Sequence, residues 1–261
     1  MAARAIWKGH ISFGDIDVPV KLYSAVQDRS VHFRLLDAKR NEPIKQHMVN
    51  PESGEVVPYE NIRRAVETGD GELVMLDEDE LSTVDPEPSR TIEVTRFVPA
   101  GEITHLWYDR PYYLGPDDSA DDYFALAEAL RKQEREGIAR WVMRKKEYAG
   151  ALRAVGDYLM LITLRHAGEV TPASELSPPE GRDLDKRELE MAKRLVAAME
   201  DELDLSEFTD DYRERVLELV EAKAAGKVIK FPKAKAKPSE ASLTDALEKS
   251  IASAKKRRKS A

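Results

Sequence analysis

The sequence contains no cysteine and no apolar run of membrane-spanning length. Without cysteine, disulfides, thiolate-bound zinc, iron–sulfur clusters and cysteine nucleophiles are excluded. No run approaches the roughly 20 apolar residues of a transmembrane helix, and the N-terminus lacks the pattern of a secretory signal. We therefore expect a cytoplasmic protein. The remaining composition, 42% hydrophobic and 34% charged over 261 residues, is typical of a globular protein with a highly charged surface.

Recognisable catalytic and cofactor-binding motifs are lacking as well. Gly9 and Gly14 have the separation found in an ATP-binding loop, but Asp15 stands where that loop places its lysine, and a carboxylate repels phosphate. Gly69 and Gly71 begin like a dinucleotide-binding motif, but Val74 stands where that motif has its third glycine, and the segment precedes a strand rather than a helix. The five histidines show no metal-binding spacing. We therefore predict no catalytic residue, no metal and no cofactor.

One acidic cluster keeps an enzymatic alternative open. Asp117, Asp118, Asp121 and Asp122 have the carboxylates that a metal-dependent nucleic-acid-processing enzyme needs. The cluster lacks the glycine and the terminal glutamate of a calcium-binding loop. Carboxylates at a helix N-terminus are also explained by their interaction with the helix dipole.

Positive charge is concentrated at the C-terminus. The net charge is −8, yet residues 223–261 carry twelve Lys and Arg against three acidic residues, a balance of +9 that leaves −17 on the remainder. The run ends in Lys255, Lys256, Arg257, Arg258 and Lys259. From Lys227 onward the segment has too little apolar material to pack, so we expect a flexible arm. Such an arm is typical of contact with nucleic-acid phosphates, although a solubilising terminus and an interaction arm for an acidic protein have the same composition.

A second basic segment lies within the acidic body. Residues 131–153 contain eight cations against three carboxylates, and the cations are Arg131, Lys132, Arg135, Arg140, Arg144, Lys145, Lys146 and Arg153. In an extended strand, residues two apart point the same way, so one face of this strand could face phosphates. Cations that protect an edge strand from aggregation give the same pattern, and this stretch alone does not decide between the two.

The hydrophobic pattern predicts a mainly β protein with helices near its C-terminus. Before residue 115, a barrel or sandwich is indicated by strand-like runs at Ile6–Phe13, Val18–Tyr23, Val31–Leu36, Leu73–Leu76 and Ile92–Val98. A helix capped by Ser119 is predicted to about Arg135. Three further strands follow at Ile138–Met143, Glu147–Val155 and Tyr158–Leu164. Helical periodicity then spans Leu189–Met199, and Thr209 is expected to cap a last helix that ends at Gly226.

Several ordered motifs resemble the bacterial Ku proteins of non-homologous end joining. The resemblance covers most of the first two hundred residues. It is carried by Arg4–Gly14, Val18–Ser24, Val31–Asp37, Gly54–Glu60, Phe97–Pro99, Tyr112–Pro116, Val142–Glu147, Leu161–Leu164 and Glu175–Leu176. It implies a Ku-type β-barrel core with peripheral helices and a long strand arch, two copies of which form a homodimeric ring around a DNA duplex. It also implies recruitment of an ATP-dependent DNA ligase by the C-terminal part.

On this resemblance, the arch lies at about residues 131–155, within a core domain of residues 1–178. A helical, ligase-recruiting region at 179–226 and a flexible basic tail at 227–261 would follow. The expected DNA contacts are Arg131, Lys132, Arg140, Arg144, Lys145, Lys146 and Arg153, together with the tail cations at 255–259. Some relatives contain cysteine pairs suggestive of a zinc ribbon, and none is possible here.

The sequence thus predicts a non-enzymatic protein, associated with the nucleoid, that binds double-stranded DNA ends without sequence specificity. A closed ring would need cations only on its inner surface, which explains how an acidic protein could hold DNA. An architectural DNA-binding protein acting through its tail is the second alternative, beside the metal-dependent enzyme.

Overall fold

The computed structural model describes residues 4–118, 120–177, 181, 185–228 and 250. The chain divides into two compact units. The first comprises Met1–Arg29 with Phe33–Glu175, and the second comprises Ser30–His32 with Leu176–Ala261.

The first unit is built on a closed barrel of seven strands. In chain order the nine strands of the unit are β1 (Trp7–Phe13), β2 (Ile16–Ser24), β3 (Arg64–Glu67), β4 (Leu73–Leu76), β5 (Thr91–Pro99), β6 (Tyr108–Pro116), β7 (Arg135–Met143), β8 (Lys146–Val155) and β9 (Tyr158–Leu164). The order around the barrel is β1-β2-β6-β9-β8-β7-β5, closed by parallel pairing of β1 with β5. Every other neighbouring pair is antiparallel.

Alternating side chains fill the barrel. In β7, Ala139, Trp141 and Met143 are buried in the core, whereas Arg140 between them is exposed. The same period-two alternation places Ile11 of β1 and Leu161 of β9 in the core. Because the barrel is closed, each of its strands has a hydrogen-bonded neighbour on both sides and no sheet edge is left unpaired.

Helix α2 (Ala120–Gln133) packs at one end of this barrel. Its buried face is formed by Tyr123, Leu126, Ala127 and Leu130, at helical spacing. The Tyr123 hydroxyl donates to the Leu114 carbonyl at 2.6 Å and accepts from the Leu159 amide at 2.7 Å. One buried phenol therefore fixes the helix to strands β6 and β9.

At the opposite end, which we call the β7–β8 end, the chain leaves the barrel after β2 and returns at β5. Strand register places Ser24, Thr91, Met143 and Lys146 at this same end. The intervening residues 25–90 contribute no barrel strand. They contain the hairpin β3–β4, helix α1 (Glu78–Thr83) and two isolated bridges, Leu36 with Pro43 and Val49 with Val56. Within the first unit we call residues 33–90 the excursion.

The second unit contains helices α3 (Lys186–Met199) and α4 (Asp211–Ala224). Asp185 caps α3 by accepting from the Arg187 amide, and Asp210 caps α4 by accepting from the Arg213 amide. The chain also forms short 3₁₀ turns at Tyr59–Asn61, His105–Trp107, Ala167–Glu169, Ala173–Glu175 and Leu205–Glu207.

The structure confirms the mainly β fold class with a barrel and peripheral helices, and it places most of the segment expected as the arch within the barrel itself. Residues 131–133 end α2, and the rest of the expected arch, residues 135–155, forms the barrel strands β7 and β8. These strands pair with each other and with β5 and β9 on their outer sides. Their alternate side chains fill the core, so they cannot project away from the barrel as an arch.

Three smaller predictions also change. The strand predicted at Val31–Leu36 does not form, since Leu36 makes only an isolated bridge with Pro43 and Phe33 is 66% exposed. Strand β6 was not predicted, since its prolines and glycine, Pro111, Gly115 and Pro116, read as turn residues. Asp210 caps α4 in place of Thr209. The predicted Ser119 cap and the basic tail beyond residue 228 lie outside the described residues, Ser250 excepted.

Candidate nucleic-acid interface

Two of the predicted cations form the turn between β7 and β8. Met143 pairs directly with Lys146, so Arg144 and Lys145 are the two turn residues. Both have left-handed backbones, with φ of 53° and 62°. Two-residue hairpins favour this conformation, but they normally use Asn-Gly, because a Cβ atom is strained there. The turn therefore presents two cations at an energetic cost to the backbone.

Lys145 connects this turn to the excursion. Its ammonium lies 2.8 Å from an Asp85 carboxylate oxygen, and the pKa of Lys145 is raised by this hydrogen bond and by the charges of Asp85 and Glu78. Asp85 belongs to the part of the chain that returns to β5. The ion pair is exposed, so it orients the turn more than it stabilises the fold.

The helical pair of predicted cations lies near the other end of the barrel. Arg131 and Lys132, on the last turn of α2, both bind Glu128, with Lys132 at 3.1 Å. Hydrogen bonds from the two cations lower the pKa of Glu128. The structure therefore separates these cations from the β7–β8 turn and engages both in ion pairs within their own helix.

Arg153 forms an ion pair with a buried carboxylate on the barrel wall. Its guanidinium lies 3.5 Å from Glu136, which is 1% exposed. The Tyr108 hydroxyl donates to the same carboxylate at 2.9 Å. Desolvation, followed by the hydrogen bond to Glu136, raises the pKa of Tyr108 to about 12. Because an uncompensated buried charge is costly, Arg153 has a structural role in the wall in addition to any contact with DNA.

The remaining described candidates are exposed on β7 and β8. Arg140 lies 3.9 Å from Glu147 across the hairpin. Lys146 begins β8 and, like Arg144, makes no ion pair with a residue that the structure describes. The predicted contacts at Lys255, Lys256, Arg257, Arg258 and Lys259 lie outside the described residues.

The excursion supplies cations that sequence reasoning missed. All are exposed and, within the described part of the chain, free of ion pairs: Arg34, Lys39, Arg40, Lys45, Arg63, Arg64 and Arg90. Residues 65–89, by contrast, carry nine Asp or Glu residues and no Lys or Arg. A signal was present in the length of the segment, because connections beyond about 15 residues without regular structure are uncommon and usually functional.

The acidic cluster proposed for a metal does not assemble. Asp117 is held by Lys8 at 3.1 Å and Lys21 at 2.5 Å, and hydrogen bonds from these two ammonium groups lower the pKa of Asp117. Across the described residues, no three His, Cys, Asp or Glu side chains are arranged to hold a metal ion. Similarly, none of the helices described is long and apolar enough to cross a membrane.

Comparison with known proteins identifies close similarity over most of the chain. The family model described as the Ku70/Ku80 beta-barrel domain matches residues 12–191. The non-homologous end joining protein Ku of Coxiella burnetii is 37% identical, over 100% of this chain and 98% of that protein. The protein of the same name from Anaeromyxobacter sp. (strain K) is 38% identical, over 98% and 87%. The one from Pseudomonas aeruginosa is 39% identical, over 85% and 78%.

Proposed function

The chain belongs to the Ku β-barrel family, and we propose from this that it binds double-stranded DNA ends in non-homologous end joining. In this proposal two copies form a ring around the duplex, without base specificity and without chemistry of their own. The ring then delivers the end to an ATP-dependent DNA ligase. The name of its relatives, non-homologous end joining protein Ku, supports the repair role.

The excursion is the observation that carries the ring proposal. It leaves and re-enters the barrel at the β7–β8 end, and it bears exposed cations such as Arg34, Arg40 and Lys45 that no described carboxylate neutralises. We therefore assign the arch to this segment instead of to residues 131–155. With the excursion as the arch, Arg144 and Lys146 at its base contribute to the same inner surface.

Phosphate contacts of this kind explain end binding without sequence recognition. Cations on a closed inner surface meet the sugar–phosphate backbone, which is the same for every sequence. Binding is driven largely by counterion release, so its affinity falls steeply with salt. A ring without an opening loads only where the duplex ends, and specificity for ends follows from access.

The other parts of the chain receive supporting roles in this proposal. The helical region at 179–226 recruits and stimulates the ligase, and the tail at 227–261 adds nonspecific phosphate contacts through its lysines. The core domain at 1–178 holds the DNA. Repair at broken chromosomal ends would associate the protein with the nucleoid.

End loading is tested by comparing linear duplex with covalently closed circular duplex of the same sequence at moderate salt. We expect at least about tenfold tighter binding to the linear form, about 1.4 kcal/mol. Linear duplex whose two ends are blocked by bulky proteins is the matched control, and it should bind like the circle. Equal affinity for linear and circular DNA would contradict the proposal.

The ring also requires two subunits. Sedimentation of the full chain should give a dimer both alone and on a short duplex. A stable monomer that binds ends as tightly as the full preparation would exclude the homodimer. Deleting residues 179–261 should keep end binding but abolish stimulation of the ligase.

A further inference from the structure

A small cavity opens at the β7–β8 end of the barrel, between the turn and the chain that leads into β5. Its volume is about 300 Å³. Trp7 and Met143 line it with apolar surface, and Arg90, Arg144 and Lys145 line it with positive charge. Apolar walls with a few convergent charged groups are typical of sites for small ligands.

The absence of a side chain at Gly9 leaves room for the Trp7 indole at the edge of this cavity. A Cβ atom at Gly9 would lie 2.1 Å from Cη2 of the Trp7 indole and 2.1 Å from the Arg90 carbonyl oxygen. The indole therefore lies back over its own strand, against the backbone that carries Arg90. One side of the indole packs against the core, and because the residue is only partly buried, the rest lines the same cavity as Arg90. Aromatic faces of this kind stack on nucleobases of any sequence.

The uncompensated positive charge that lines the cavity matches the negative charge of a phosphate monoester. Arg90 and Arg144 are exposed and make no ion pair with a described residue, whereas Lys145 is matched by Asp85 at 2.8 Å. Two guanidinium charges are therefore left. A phosphate monoester carries about −1.5 to −2 at pH 7, whereas each phosphate within a strand carries a single charge. Guanidinium groups bind such oxygens in paired, charge-assisted hydrogen bonds.

We propose that this cavity binds a nucleotide bearing a phosphate monoester, with the phosphate on Arg90 and Arg144 and the base against Trp7. Two sources carry this chemistry, the 5′-terminal nucleotide of a DNA strand and a free mononucleotide. Only the first rests on the proposed end-binding function. In that case the protein distinguishes a phosphorylated 5′ terminus from a hydroxyl terminus while remaining indifferent to sequence.

The first arm of the test uses the full chain and a DNA hairpin with one open blunt end. We expect the 5′-phosphorylated hairpin to bind about tenfold more tightly than the 5′-hydroxyl hairpin in fluorescence anisotropy. The double substitution Arg90→Gln and Arg144→Gln should reduce this ratio to about one, since it removes both uncompensated charges. Arg140→Gln, on the exposed face of β7, is the matched control and should keep the ratio.

The second arm titrates the protein with 2′-deoxyadenosine 5′-monophosphate and with 2′-deoxyadenosine in a calorimeter. Binding of the phosphate compound that the double substitution abolishes supports the site, with free nucleotide as the source if the hairpins show no preference. Absence of both the hairpin preference and mononucleotide binding overturns it. That outcome leaves the comparison of linear with circular DNA unaffected, so the failure of the cavity and the failure of end binding are distinguishable.

Discussion

Glu136 shows how single residues limit which cations are available for DNA. Its carboxylate is 1% exposed on the barrel wall, and neither its Oε1 nor the Nε of Arg153, both buried, has a hydrogen-bond partner among the described residues. The buried charge is therefore compensated by the Arg153 guanidinium, 3.5 Å from Oε1, and by the Tyr108 hydroxyl, which donates to Oε2 at 2.9 Å. Removing either leaves a buried charge with less compensation, which costs more than the hydrogen bond itself contributes. The basic character of Arg153 thus first serves the stability of the barrel.

The substitution Tyr108→Phe tests this network. At pH 7 we expect the free energy of unfolding to fall by about 1–3 kcal/mol, because a buried acceptor loses its donor. Since the pKa of Tyr108 is raised to about 12 from the ordinary value of 10.0, the folded state binds one more proton than the unfolded state between these values. Its contribution is therefore fully present below pH 10 and is lost as pH rises towards 12.

Urea unfolding at several pH values measures both effects. The difference in stability between wild type and Tyr108→Phe should narrow from pH 10 to 12. Tyr113→Phe is the matched control, since that exposed hydroxyl makes no hydrogen bond to a described residue, and it should change stability by less than about 0.5 kcal/mol. A difference that stays constant over this pH range would contradict the role of Tyr108.

At the scale of elements, the hairpin β7–β8 shows why the positions of the strands were predictable and their place in the fold was not. Alternation at Ala139, Trp141 and Met143 is the period-two pattern of a buried strand, and it identified β7 within a few residues. The cations of the same strands lie on the other face, where they agreed with the arch that the resemblance had placed on this segment. Charge patterns indicate exposure, but they do not indicate whether a strand remains in the sheet.

The excursion was predicted only in part, since strand β4 at Leu73–Leu76 was expected with the bounds that the structure shows. Phe33, Leu35 and Met48 are more than half exposed, so their sequence pattern reflects no buried face. Hydrophobic periodicity detects burial within the chain, so it gives no signal for a segment whose apolar side chains are exposed. Its cations were therefore overlooked. The feature that could have revealed this segment is the long stretch of chain between the barrel strands β2 and β5.

The β7–β8 turn also yields a prediction about strain. Replacing Arg144 with Asn and Lys145 with Gly gives the residues that the left-handed turn prefers, so the unfolding free energy should rise by about 1 kcal/mol. DNA binding should weaken at the same time. Loss of the exposed Lys145–Asp85 ion pair offsets only a small part of the gain.

A second double variant, Arg144→Gln with Lys145→Gln, separates charge from backbone strain. It should weaken DNA binding as much as the Asn-Gly turn without raising the unfolding free energy. Stability and salt-dependent affinity are measured on both proteins under the same conditions. Equal stability of the two variants would show that the left-handed backbone carries no strain worth relieving.

For the whole molecule, the distribution of charge allows two mechanisms of DNA binding, a ring around the duplex and a basic tail that binds any DNA. The chain has a net charge of −8, whereas residues 223–261 have a balance of +9. An architectural protein would depend on that tail, whereas a ring depends on cations held around the duplex. The nine carboxylates within residues 65–89 further restrict where the excursion could face phosphates.

Two variants distinguish these mechanisms. Deleting residues 227–261 should leave clear preference for linear over circular duplex and reduce the slope of log affinity against log salt, since each lost phosphate contact contributes about 0.9. Replacing Arg34 and Arg40 by Gln should instead reduce end binding by about tenfold or more, because two inner contacts are lost.

The matched control, Arg131→Gln with Lys132→Gln, removes two cations near the other end of the barrel. Glu128 already pairs with both, so this variant should have little effect on end binding. If the truncation abolishes binding while the excursion variant matches this control, the tail holds the DNA and the ring does not.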